Sequence, residues 1–120
     1  MKKSVMIMDD DVDIRLTLAD ILEDEGYSVT SASDGLEGLH AINNMAHPPG
    51  LIILDLMMPN MNGHEFLKVR TENEKLANIP VAYFSADTEI HSKSQEAGVE
   101  SIRKPVNFGE LLSVVRKYCN

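Results

Sequence analysis

Four consecutive branched aliphatic residues, Leu51-Ile52-Ile53-Leu54, stop on a single carboxylate, Asp55, and the chain then turns through Leu56-Met57-Met58-Pro59-Asn60-Met61-Asn62-Gly63. With Pro48-Pro49-Gly50 in front and turn formers behind, so short and apolar a run reads as a strand buried on both faces at the centre of a parallel sheet. Asp55 then stands at the strand's carboxyl end, the edge of open α/β sheets where ligands collect. Taken alone, Asp55 is equally readable as a cap that starts the following turn. The rest of the chain decides between the two.

Ser4 to Met8 is a second apolar run that also ends on aspartates, and reads as strand 1. Ile14, Leu18, Ile21 and Leu22 follow at helical spacing, with Asp11 placed to cap and Gly26 to stop a helix near 12–25. Tyr27 to Ala32 alternates as a strand does. Ser33-Asp34-Gly35 opens a helix with Leu36, Leu39 and Ile42 on one side. After the central strand, His64 to about Glu74 reads as a helix burying Phe66 and Leu67, and Ile79 to Phe84 as a fourth strand. Thr88 to Ala97 is helical with only Ile90 and Ala97 as apolar anchors, so weak attachment and mobility are expected there. Val99 to Arg103 gives a fifth strand. Asn107 caps a last helix with Phe108, Leu111, Leu112 and Val115 on one stripe. Strand and helix alternate five times, which demands a parallel sheet covered on both faces, a three-layer α/β/α sandwich, and residues 1–120 form a single domain.

Composition narrows the function. A chain of 120 residues with 43% hydrophobic content holds one core. A net charge of -8 without clustered Lys or Arg argues against direct nucleic-acid binding. No apolar stretch is long enough to span a bilayer and the N-terminus lacks a signal-peptide core, so no membrane partner and a cytoplasmic location are expected. The lone Cys119 reads as an inert tail residue. His40, His47, His64 and His91 lack metal-ligand spacing and read as surface residues.

The carboxyl ends of parallel strands share one edge, and the residues just past them become neighbours: Asp9 and Asp10, Asp55, Ser85 and Lys104. Carboxylates about 4 Å apart repel by on the order of 4 kcal/mol at an effective dielectric near 20. A hard divalent cation with oxygen ligands relieves this, and Mg²⁺ fits a site of few carboxylates that also takes waters and phosphate oxygens. Lys104 adds a point charge for a phosphate oxygen, and Ser85 a hydrogen-bond donor. The inference is a small phosphoryl-transfer site with Asp55 as nucleophile and Asp9 and Asp10 as metal holders.

These residues, the acidic pair Asp9-Asp10, Asp55 with Met58, Pro59, Met61 and Gly63, the pair Ser85-Ala86 and the pair Lys104-Pro105, together resemble the receiver domain of bacterial two-component response regulators. The resemblance covers essentially the whole chain. It implies a flavodoxin-like, doubly wound five-stranded sheet of order 2-1-3-4-5 and phosphorylation of Asp55 by a sensor histidine kinase, a phosphotransfer protein or a small phosphodonor. It further implies Mg²⁺ held by Asp10, Asp55 and the Met57 backbone carbonyl, with Asp9 acting through water. Ser85 and Lys104 would contact the phosphoryl oxygens, Lys104-Pro105 would be a cis peptide, and a downstream target would bind the helix 4/strand 5/helix 5 face. Such a domain is not an enzyme on other substrates; it catalyses only its own phosphorylation and dephosphorylation.

Two positions depart from the family pattern. Ser101 stands where many members carry an aromatic that turns inward on activation, which shifts the expected burden of the switch to the helix at 88–97. Val106 replaces a common aromatic after Lys-Pro. Three other readings are weaker. A Mg²⁺-dependent aspartyl-phosphate phosphatase needs an acid two positions after the nucleophile, where this chain has Met57. A flavin module needs a hydroxyl- or glycine-rich loop after strand 1. A binding-only receiver usually lacks one of the site groups, and none is missing. Met57, Met58 and Met61 are expected to pack the loop, with Met57 able to limit water access to an acyl phosphate.

Overall fold

The computed structural model describes residues 2–120. Five strands, β1 (Val5–Met8), β2 (Val29–Ala32), β3 (Leu51–Leu54), β4 (Val81–Ser85) and β5 (Glu100–Arg103), alternate with α1 (Val12–Asp24), α2 (Gly35–Asn43), α3 (Gly63–Glu72), α4 (Thr88–Ala97) and α5 (Phe108–Cys119). The strands pair in the order β2-β1-β3-β4-β5, and every pairing is parallel. This is the doubly wound, flavodoxin-like arrangement expected.

Because side chains alternate across a strand, the sheet splits its apolar residues between two cores. Val5, Ile7, Leu51, Ile53 and Phe84 face Leu18 and Leu22 of α1 and Leu111 and Val115 of α5. Met6, Met8, Ile52 and Leu54 face Ile42 of α2 and Phe66 of α3. All four β3 residues are buried, so the strand serves both cores at once. Truncating any of them to Ala would cost about 2–5 kcal/mol. Asp11 caps α1 and Asn107 caps α5, and Gly26 and Gly98 adopt the left-handed conformation that ends α1 and α4.

Element boundaries move by at most two residues from the sequence reading, and several side chains lie elsewhere. The buried stripe of α2 runs through Gly35, Gly38 and Ile42, and at about 100° per residue Leu36 is rotated off it and lies 55% exposed. Phe108 shares the stripe of α5 but lies at its first residue, ahead of the buried Leu111, and is likewise exposed. Cys119 is no tail residue: it is fully buried, and burial pushes its thiol up to about 11. In α4, Ala97 is exposed, Ile90 is half-buried, and the inward residues are His91 and Ser94. His91 is therefore not on the surface.

Candidate functional site

Backbone pairing carries past the strand ends and places the polar residues there. Asp9 N–H donates to Ala32, Asp55 N–H to Met8 and Lys104 N–H to Ser85, at 3.1, 2.9 and 3.0 Å. Carboxylate oxygens of Asp9, Asp10 and Asp55 consequently lie within 4.8 Å of one another. Asp9 and Asp55 are buried and Asp10 is exposed. Lys104 Nζ reaches in to 3.0 Å from Asp9 Oδ2 and 3.5 Å from Asp55 Oδ2.

The other oxygens are held by the chain itself. Asp9 Oδ1 accepts the Asp11 N–H and Asp55 Oδ1 accepts the Met57 N–H. Asp9 Oδ2 faces the ammonium without hydrogen-bond alignment and has no aligned donor, so a buried anionic oxygen keeps lone pairs available. Burial pushes the Asp55 carboxyl above its ordinary range; the Met57 N–H opposes this, Asp9 adds to it, and Lys104 opposes it. For Lys104, burial works against the charge, but the Asp9 and Asp55 carboxylates outweigh it and raise its pKa. One ammonium among three acids leaves net negative charge, and the acidic triad could hold a metal ion.

The loop after Asp55 is tied to α2. Asn60 takes a left-handed conformation (φ 61°) and donates from Nδ2 to Asp34 Oδ2 at 2.8 Å, while Gly35 N–H donates to the Met61 carbonyl at 2.9 Å. The Glu37 N–H and the Asn60 amide hold the Asp34 carboxyl below its ordinary range. Gly63 is required by close approach, since a Cβ there would sit 2.6 Å from Leu56 Cα. Met58 is buried, whereas Met57 is 76% exposed, contrary to the expectation that it packs the loop.

Ser85 ends β4 at the same edge, and its hydroxyl accepts the Asp87 N–H at 3.0 Å. Its carbonyl accepts from both the Lys104 backbone and His91 Nε2. The sequence reading missed His91 and the Asp34–Asn60 link. A usable signal existed for His91: a helix without an apolar stripe must turn polar groups inward, and buried polar groups are hydrogen-bonded.

Residues 5–116 match the family model of the response regulator receiver domain. The chain is a receiver domain. Among curated relatives, it is 31% identical to the polar-differentiation response regulator DivK of Brucella ovis, covering 98% of this chain and 97% of that one. It is 28% identical to sporulation initiation phosphotransferase F of Bacillus subtilis, over 98% of this chain and 94% of the relative. Against the transcriptional regulatory protein CpxR homolog of Haemophilus influenzae the identity is 35% over 93% of this chain, which spans only 48% of that regulator. The chain thus spans about half the length of some curated relatives and nearly all of others. The solved structure of the chemotaxis response regulator CheY4 of Vibrio cholerae superposes with a TM-score of 0.84 at 28% identity, covering 98% of this chain and 99% of that one. A receiver domain is the phosphoacceptor signalling module of two-component systems and works with histidine kinases or phosphotransfer proteins. The Lys104-Pro105 peptide is cis, as the resemblance implied.

Proposed function

We propose that Asp55 is the phosphoacceptor and that Asp9, Asp10, Ser85 and Lys104 equip it to take a phosphoryl group from a phosphohistidine. The observation that carries this reading is the triad of carboxylates within 4.8 Å with a single ammonium 3.0 and 3.5 Å from two of them. An Asp55 oxygen attacks phosphorus, a new O–P bond forms as the donor's P–N bond breaks, and the electron pair departs with the imidazole nitrogen. A carboxylate arrives deprotonated, so the site has to supply alignment and charge neutralisation rather than a base. The Met57 N–H and the β3 backbone fix the nucleophile's direction. Lys104 is placed to meet the phosphoryl oxygens as they draw near, exchanging its carboxylate partner for them. Ser85 donates to another of those oxygens once its hydroxyl turns from Asp87.

The donor set is all oxygen and includes a buried, unaligned Asp9 Oδ2, which suits Mg²⁺. Asp10, Asp55 and the Met57 carbonyl would hold it directly, with Asp9 acting through water. When bound, the ion offsets the acids and the incoming phosphoryl charge.

Val12, Leu16, Met57 and Phe108 are exposed apolar residues on segments leaving the carboxyl edge, a rim suited to an apolar partner helix that presents phosphohistidine. The output surface is the α4/β5/α5 face. On this reading the exchange takes place in the cytoplasm. No described helix is long and apolar enough to cross a membrane. Incubation with acetyl phosphate, read by intact mass, tests the reading: one adduct with Mg²⁺ present and none after chelation supports it, and an adduct insensitive to chelation contradicts it.

A further inference from the structure

His91 is the only buried histidine among the described residues, at 7% exposure. Its Nε2 lies 2.8 Å from the Ser85 carbonyl oxygen and its Nδ1 lies 2.7 Å from Ser101 Oγ. A carbonyl only accepts, so Nε2 carries hydrogen, and in the neutral ring Nδ1 accepts from the Ser101 hydroxyl. The same Ser85 carbonyl accepts the Lys104 backbone N–H at 3.0 Å. One carbonyl is thus shared by the residue that bears the site's ammonium and the ring that anchors α4.

We propose that His91 is a positioning residue that couples the acid pocket to the α4/β5 surface. Through the Ser85 carbonyl it orients the end of β4 beside Lys104. A displacement of Ser85 toward a phosphorylated Asp55 then reaches α4 through the imidazole and reaches β5 through Ser101. The proposal rests on the reading of Asp55 as phosphoacceptor.

Three observations support it. First, α4 fully buries only His91 and Ser94 and adds a single half-buried apolar residue, Ile90, against the core, so the directional bonds to the ring carry much of its positioning. Hydrogen bonds weaken steeply with misalignment, and a helix held in this way changes its attachment when the acceptor moves. Second, the Ser101 hydroxyl already bonds to a group on α4, so the ring makes the cross-link that this short side chain cannot extend further by itself. Third, Ser94 Oγ donates to the His91 carbonyl at 2.8 Å, fixing the turn from which the imidazole projects.

The test uses the full chain and three variants. His91→Leu removes both bonds, His91→Gln keeps an amide able to donate to the Ser85 carbonyl, and Ser101→Ala removes only the Nδ1 partner. Amide hydrogen exchange over 88–103 is followed with Mg²⁺ alone and with Mg²⁺ plus beryllofluoride as phosphoryl mimic, while acetyl phosphate adducts are read by mass. The wild-type chain should show a severalfold change in α4 exchange on adding the mimic. His91→Leu should still form the adduct yet lose the α4 response, and His91→Gln should recover part of it. Ser101→Ala, the mildest change, should reduce the response and keep the proposal testable should His91→Leu fail to fold. A wild-type α4 response in His91→Leu or Ser101→Ala overturns the coupling, as does a wild-type chain that forms the adduct without any α4 response. Absence of an adduct in the wild type instead overturns the reading of Asp55.

Discussion

Helices α4 and α5 both start at the carboxyl edge of the sheet behind an N-cap side chain, Asp87 in one and Asn107 in the other, yet they are attached by different forces. α5 buries Leu111, Val114, Val115 and Cys119, whereas α4 buries His91 and Ser94. Fully burying an aliphatic side chain contributes about 1.5–3 kcal/mol, and an internal hydrogen bond about 0.5–1.5 kcal/mol net. Apolar contact is also non-directional, while the bonds of His91 depend on where Ser85 stands. The difference teaches that α5 is held chiefly by burial, whereas α4 is pinned to the end of β4, beside the residue proposed as phosphoacceptor.

The sharpest way to break this contrast is to truncate each anchor. Leu111→Ala should lower unfolding free energy by about 2–5 kcal/mol in urea titrations. His91→Leu should cost less, about 1–2 kcal/mol, because the Ser85 carbonyl keeps its Lys104 donor. Equal losses, or a larger one at His91, would dissolve the distinction.

A smaller effect concerns the charge beside that pin. The Asp55 pKa is raised above its ordinary 3.8 in the fold, chiefly by burial. The native state therefore holds this proton more tightly than the unfolded chain. The group's contribution is most favourable below 3.8 and is lost as pH rises through the raised value. Asp55→Asn should accordingly stabilise the metal-free protein at neutral pH, by about 1 kcal/mol or a few degrees in Tm, with the gain shrinking on acidification. Thermal melts without divalent ion at several pH values check this, and a neutral-pH Tm at or below wild type would contradict it.

The smallest change probes the exposed loop. Met57 stands two residues past Asp55 and is mostly exposed, so Met57→Asn, which lets water be positioned near the acyl phosphate, should shorten its lifetime severalfold and leave stability within about 0.5 kcal/mol. Phosphate release after removal of the donor measures it, and an unchanged lifetime would count against a shielding role.

How much of this was legible in the sequence follows the same division of forces. The continuous apolar run of β3 and its terminal Asp55 announced a central strand and its edge, because burial on both faces leaves a pattern in composition. Asp9, Asp10, Ser85 and Lys104 followed from topology, since parallel strands bring their ends together. His91 did not. A histidine on a polar helix reads as exposed until the hydrogen-bond partners on two other strands are seen. The Asp34–Asn60 link was hidden for the same reason, 26 residues apart and made by a residue with positive φ. Leu36 misled because a three-residue spacing drifts off the 3.6-residue helical period, and Phe108 because periodicity says which residues share a side, not how far along the helix that side is covered.

The central claim is that the acid at the end of β3 becomes the phosphorylated group. Treatment with acetyl phosphate and Mg²⁺, then borohydride, which reduces an aspartyl phosphate to homoserine, and peptide mass mapping reads this at residue level. Homoserine at position 55 and at no other aspartate is the result predicted. Conversion at Asp9 or Asp10, or an unmodified Asp55 in protein that has taken up phosphate, would contradict it.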